Sequence, residues 1–465
     1  MTSTPAPTTA VSPPQVQYAP RPALREAAPW DFPTPEIFAL DNGLSVQAYD
    51  LPGQGLVTGI VSVTANALDD PAGREGLAHL TLSALTEGAG QLDALGFAAA
   101  IEGLGATITG QGDLTRSDLG FSAPISRLEG TLEHVTAALT EPRLADADLA
   151  RLITMQIGAL EYNRSDPRWV AQYALTQALN PVGARARTPI GGSRASLAAI
   201  TPADIRDFCR ETLTPDGAVL CIAGDFSGID LPEMLGSTIG RWSGPTRSAT
   251  PEPPAQSPGP LFQVVHLPGS VQSQLIVTAP SVTRDHPDWA ALEVASHIIG
   301  GGPTSTLWER LRDQLGYTYG IGAHLDASAV NGNLTVFTAV ESGVSAPALA
   351  EITTILDRYR ESGFSADQHR RAVNELTAAA PFRAETGAAL AALAAEQVTH
   401  EVAPDHVATN LAKISASTAE SAAAAYQGSI GHDQRVIMIV GDADQILTPL
   451  AALGHGEPDV IELEF

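Results

Sequence analysis

The chain repeats itself, and that constrains its fold more than any other feature of its 465 residues. RLEGTLEHVTAALTEPRLADADLARLITMQI (127–157) and APALAEITTILDRYRESGFSADQHRRAVNEL (346–376) share one pattern. In each, a helix with apolar residues three and four apart reaches a short turn, and a second helix opens on an acid-rich first turn. Further on, ITPADIRDFCRETL leads to AVLCIAGDF, and ISASTAESAAAAY leads to RVIMIVGDA. Each helix starts with Ser or Thr and a nearby acid, which suits N-capping. Each apolar run closes on Gly-Asp (Gly224-Asp225, Gly441-Asp442) and reads as a buried strand running into a turn. The offset between halves is about 214 to 220 residues throughout, the mark of a duplicated α+β domain.

The divide between the halves is equally legible. SGPTRSATPEPPAQSPGP at 243–260 holds six prolines and reads as a semi-extended linker. Residues 1–30, rich in Pro, Ala and Thr, read as a flexible N-terminal arm. The expected organisation is therefore an arm, a first domain over 31–242, the linker, and a second domain over 261–465. FALDNGLSVQAYD has an Asn-Gly turn between alternating residues and predicts a hairpin. GIVSVTANAL and QSQLIVTAP predict further strands. Strands grouped with pairs of long helices predict, in each domain, a mainly antiparallel sheet covered on one face by helices.

Composition excludes some functions. Fifty-two acidic residues against 26 basic give a net charge of −26, which repels nucleic-acid backbones and would attract basic peptides. There is no apolar run of spanning length and no basic-then-apolar N-terminal signal, so the expected location is cytoplasmic. Cys209 and Cys221 form no C-x-x-C pair and read as packed, reduced thiols.

FALDNGLSVQ followed by GIVSVTANALDDPAGREGLAHLTLSALTEGAG resembles the N-terminal domain of the insulinase/pitrilysin metallopeptidases. Mitochondrial processing peptidases and respiratory core subunits belong to the same family. The resemblance implies a LuxS/metallopeptidase-like fold. In active members the helix opening Gly-Leu-Ala-His carries H-x-x-E-H, two zinc ligands around a general base, and a Glu about 75 residues later completes the metal site. Here His79 stands at the first ligand position, Leu82 at the base, Ser83 at the second ligand and Gln156 at the third. Glu161, the nearest carboxylate, lies five residues on, roughly 140° around the helix from Gln156. The resemblance thus implies no zinc in this chain, and a lone His79 reads as a packing residue.

VVHLPGSVQSQLIVTAPSVTRDHPDWAALEVASHIIGGGPTSTLWERLRDQLGYTYGIGAHLD resembles the family's C-terminal domain. Active relatives use an Arg and a Tyr seven residues apart there, to hold the scissile carbonyl and its oxyanion. The matching residues are Arg312 and Tyr319, with Tyr317 as a neighbouring alternative. Gly300 to Gly302 lack the Gly-Lys-Ser/Thr ending of a phosphate loop. They read as a flexible link, and the resemblance makes Gly301 and Gly302 a place where substrate backbone approaches. Some bacterial members divide the labour between a chain with H-x-x-E-H and a chain with the Arg/Tyr pair. The implied function is the second role: a non-metal subunit that completes a peptide-cleaving chamber while a paralogous partner supplies zinc and base. The rival readings are an inert structural subunit and a peptide-binding adaptor.

Overall fold

Two six-stranded sheets organise the computed structural model, which describes residues 30–248, 250–253 and 258–463. Nearly all of the expected N-terminal arm lies outside the described residues.

The first sheet is built from β1 (Glu36–Ala39), β2 (Ser45–Asp50), β3 (Leu56–Val63), β4 (Thr107–Gln111), β5 (Ser117–Pro124) and β6 (Val219–Gly224), in the order β1-β2-β6-β3-β5-β4. Only β2 and β6 pair in parallel. The second sheet is built from β7 (Leu261–His266), β8 (Gln272–Ser281), β9 (Thr318–Ala327), β10 (Gly332–Glu341), β11 (Val436–Gly441) and β12 (Asp459–Ile461), in the order β9-β10-β8-β11-β7-β12. Five strands therefore occupy equivalent places in the two sheets, as a duplication requires. The sixth differs: β1 is the antiparallel hairpin partner of β2, while β12 returns from the C-terminal end and runs parallel to β7.

The helices of each half pack mainly on one face of its own sheet. The helices of the first half include α1 (Leu77–Ala84), α2 (Leu128–Thr140), α3 (Asp146–Asn163), α4 (Pro167–Leu179) and α5 (Pro202–Thr212). In the second they include α6 (Trp289–Gly300), α7 (Ser345–Ser362), α8 (Ala366–Arg383), α9 (Gly387–Thr399), α10 (Ala419–Ser429) and α11 (Ala443–Ala451). Capping follows the sequence. Thr201 and Asp204 form a reciprocal box at α5, as Ser365 and Gln368 do at α8.

Two helices cross over. Leu390, Ala391, Ala394 and Ala395 of α9 pack on Tyr49, Cys221 and Ala223 of the first sheet. Val170, Ala171, Ala174 and Leu175 of α4 pack on Val265, Ile276, Met438 and Val440 of the second. This exchange adds a layer to the expected one-sided sheets, and it explains why β6 and β11 read as continuous apolar runs. The alanine-rich face of α9 permits close seating. At its first residue, Gly387, a Cβ would lie 3.0 Å from the Ala223 carbonyl oxygen.

The proline-rich connection is strapped down. Trp242 is buried, the Arg247 guanidinium meets the Asp69 carboxylate at 2.7 Å, and Glu252 accepts a hydrogen bond from Asn331 of the second half.

Candidate functional site

Two constellations were expected, one on α1 and α3, the other between α6 and β9.

The first begins with the cap of α1. Gly76, at φ 102°, has no side chain to offer, so Asp70 serves instead. Its carboxylate accepts from the Gly76 and Ala78 amides at 2.8 and 2.7 Å and pairs with Arg185 at 2.8 Å. Arg185 also donates to the carbonyls of Thr188, Pro189 and Ile190. One clamp thereby holds both the start of α1 and the loop at Gly191 and Gly192. Gln156 of α3 donates to the Gly191 carbonyl at 3.1 Å, with His79 beside it. The structure thus brings together His79 and Gln156, the residues that the resemblance set at the first and third ligand positions.

Their chemistry does not fit zinc. Leu82 is wholly buried in the core, the Ser83 hydroxyl donates to the His79 carbonyl of its own helix, and the Gln156 amide is held by the loop. Glu161 points elsewhere and pairs with Arg164 and Arg194. Burial pulls the His79 imidazole below its ordinary pKa, with partial offset from the Gly112 backbone and the Gln156 side chain. Its buried Nδ1 has no hydrogen-bond partner among the described residues. One imidazole with no carboxylate supplies neither a three-ligand site nor a base. Among the described residues, one group gathers three His, Cys, Asp or Glu ligand atoms within 4.8 Å: His266, Asp442 and Asp444. These tie loops: the Ala443 amide donates to His266, and the Gly269 amide to Asp442. Asp50 and Asp225 do the same in the first half, receiving the Phe226 and Gly53 amides.

The second constellation rests on a seven-residue π-helix, Trp308–Gln314. Its wider turn is closed by the Leu315 amide donating to the Arg310 carbonyl, and it ends at Gly316, φ 65°. Leu311 anchors it inward, and a bidentate pair from Arg310 to Glu351 fastens it to α7 at 2.9 and 2.8 Å. This fork holds the Glu351 carboxyl below the usual carboxylate range. Arg312 is left with its guanidinium 4.4 Å from the centre of the Trp308 ring and 5.5 Å from that of Tyr319. No described carboxylate pairs with it. Tyr319 is 90% exposed on β9, an edge strand.

A bulge between Thr318 and Ile321 breaks simple alternation, so Tyr317 and Tyr319 are not a matched pair on one strand face. Tyr317 packs partly against the core of the second half. Trp308, Tyr317, Tyr319 and Phe337 line one cavity of about 670 Å³, joined by Gln272, Gln274 and Arg168 of the exchanged helix α4. Gly301 and Gly302 do not line it. Gly300 and Gly301 are no flexible link: a Cβ on Gly300 would overlap the Ala323 backbone, and one on Gly301 the His297 ring, while one on Gly302 would meet nothing within 4 Å. Close packing of α6 on β9 sets the requirement, and Gly301 caps α6 through its amide.

Trp308 and Arg168 were missed from sequence. Trp308 was findable, since it sits four residues before Arg312, the spacing at which helical side chains meet. Arg168 was not, because its place follows from the helix exchange.

Residues 199–376 match a family profile described as the peptidase M16 inactive domain. The chain is 26% identical over 352 residues to an uncharacterised zinc protease of Mycobacterium leprae, covering 72% of this chain and 76% of the relative. It is 23% identical over 318 residues to the non-peptidase homolog YmxG of Helicobacter pylori, covering 67% and 72%. A peptidase M16 inactive domain from Pseudomonas fluorescens superposes with TM-score 0.81 at 20% identity, over 88% of this chain and 98% of that one. A Helicobacter pylori protease superposes with TM-score 0.79 at 16% identity, over 88% and 99%. Residues 199–376 thus resemble the inactive domain of the M16 peptidases, within a duplicated fold whose first half lacks the chemistry of a zinc site.

Proposed function

We propose that this chain is the non-metal subunit of a two-chain zinc peptidase. A paralogous subunit bearing H-x-x-E-H supplies metal and base, and this chain holds the peptide and steadies the oxyanion. The observation that carries the reading is Arg312, stacked on Trp308, beside Tyr319 and without a carboxylate partner among the described residues. Those two aromatic rings, though not Arg312 itself, line a cavity bordered by an edge strand. An always-charged planar donor and a phenol, fixed before substrate arrives, suit the charge that develops on a carbonyl oxygen under attack. The outer edge of β9 offers unpaired backbone groups that an extended peptide can join as a further strand.

The inert-subunit reading draws support from the degenerate α1/α3 site and from the non-peptidase designation of the Helicobacter relative. One experiment separates the two. The chain is purified alone and with a zinc-binding paralogue, and cleavage of peptide libraries is measured. The proposal expects no cleavage alone, and cleavage in the mixture that falls about 10²–10³-fold on Arg312→Ala. Unchanged turnover in that variant would favour the inert subunit. Stoichiometric zinc bound by the isolated chain would overturn the account of His79 and Gln156.

A further inference from the structure

The cavity of about 670 Å³ beside Arg312 holds polar groups that the oxyanion role leaves idle. Arg168 comes to it from the first half, on the exchanged helix α4, while β8, β9 and β10 of the second half supply most of the rest. The Asp166 carboxylate caps α4 by accepting the Arg168 amide at 2.9 Å. No carboxylate among the described residues pairs with the Arg168 guanidinium. In this chain that is an exception. Acidic residues outnumber basic ones by 52 to 26, and most described arginines have met one, as Arg151, Arg194, Arg241 and Arg310 have. Arg312, against Trp308 and Tyr319, is left over in the same way. The side-chain amides of Gln272 and Gln274, which line the same cavity, also have no hydrogen-bond partner among the described residues. The one acid in the lining, Glu341, closes β10 opposite Gln272 and stands against two guanidiniums.

A guanidinium can only donate, each amide offers two further hydrogens, and none of them finds an acceptor in the cavity. A cationic guest would be repelled by Arg168 and Arg312. A purely apolar guest would leave Arg168 and the amides unanswered. The planar fork of an arginine matches the two oxygens of a carboxylate. We propose that Arg168, with Gln272 and Gln274, binds a carboxylate of the bound peptide, borne by an Asp or Glu side chain or by the peptide's C-terminus. Aromatic faces disfavour an anion, but Trp308 and Tyr319 each turn a face to Arg312, so a cation already answers them. The net charge of −26 works against an acidic peptide at long range. Physiological salt screens that repulsion beyond about 8 Å, and contact with Arg168 decides. The inference rests on the reading of the chain as a peptide-holding subunit, and it names the class of peptide that subunit prefers.

The test reads binding by the full chain alone, with no cleavage. Three fluorescein-labelled decapeptides of Ala, Ser and Gln are titrated by anisotropy at physiological salt. The reference is neutral with an amidated C-terminus. The second carries one central Glu in place of Gln and the same amide, and the third keeps the neutral sequence with a free C-terminal carboxylate. A carboxylate is expected to tighten binding roughly three- to tenfold, and the peptide that gains identifies which source the site reads. Arg168→Gln should bring all three peptides level. Arg168→Lys, which keeps the charge and loses the fork, should keep only part of the gain. Arg127→Gln removes the same charge from an exposed position elsewhere and should leave the gain whole. No gain from either carboxylate, including no binding of any peptide, overturns the proposal. So does equal loss in Arg168→Gln and Arg127→Gln, which would reduce the effect to bulk charge. A carboxylate gain without cleavage in the mixture with a paralogue would sink the peptidase reading and leave this site standing. Cleavage that falls on Arg312→Ala, without any carboxylate gain, would do the reverse.

Discussion

Replacing Leu390 by Ala tests the helix exchange. Leu390 belongs to α9 of the second half, is fully buried, and packs under the first sheet beside Tyr49 and Cys221. Truncating a leucine at such a site costs about 3 kcal/mol, because the lost transfer energy is joined by an incompletely collapsed cavity. If the exchange locks the halves together, residues 32–465 melt as one unit. At roughly 2 cal/mol/K per residue, the unfolding entropy is about 0.9 kcal/mol/K, and 3 kcal/mol lowers the single transition by about 3 °C. If the halves melted separately, the loss would fall on a unit half that size and shift one of two transitions by about 7 °C. Differential scanning calorimetry distinguishes these. Two resolved transitions, one displaced and one unmoved, would refute the interlock.

Arg247→Ala should free the connection between the halves, since the Arg247–Asp69 pair is nearly buried at 15% and 10% exposure. Thermolysin cleavage within 243–260 should quicken about tenfold, and an unchanged rate would refute the strap. Burial pushes the Cys209 and Cys221 thiols up to about 11 and about 12. Neither should react with a disulfide reagent at pH 8 in the native chain, and both should react in guanidinium; rapid native labelling would contradict the packing. The Glu396 carboxyl is brought down to about 2 by hydrogen bonding to His400 and by Arg284. A depressed carboxylate stabilises above its unfolded value and loses that contribution as pH falls toward its folded one. Glu396→Gln should therefore melt below the parent at pH 6, with the gap narrowing below pH 4.5. A gap that stays constant across that window would refute the assignment.

The duplication was legible because it is written in local periodicity: paired helices, capped starts, and apolar runs ending at Gly224-Asp225 and Gly441-Asp442. The degenerate ligand positions rested on the family resemblance, and the structure sets them on α1 and α3, each one unbroken helix. Exchange was not. The pattern AALAALAA states that a helix face is buried, and says nothing of which sheet buries it. The Asp70 cap was hidden because it acts across a loop, six and eight residues ahead of the amides it receives. The π-helix escaped because one extra residue in a turn leaves no trace in composition. The glycines misled because a close approach and a hinge demand the same residue.

The exchanged helices also set the terms on which this chain can change. A second half produced alone would present Val265, Ile276, Met438 and Val440 to water, an apolar face that a solitary domain would bury by aggregation or by pairing with itself. The polypeptide is in effect a fused dimer, each lobe acting as the other's missing wall. A substitution on α4 or α9 is therefore inherited by both lobes at once, and neither can be trimmed away, swapped or allowed to drift without its counterpart.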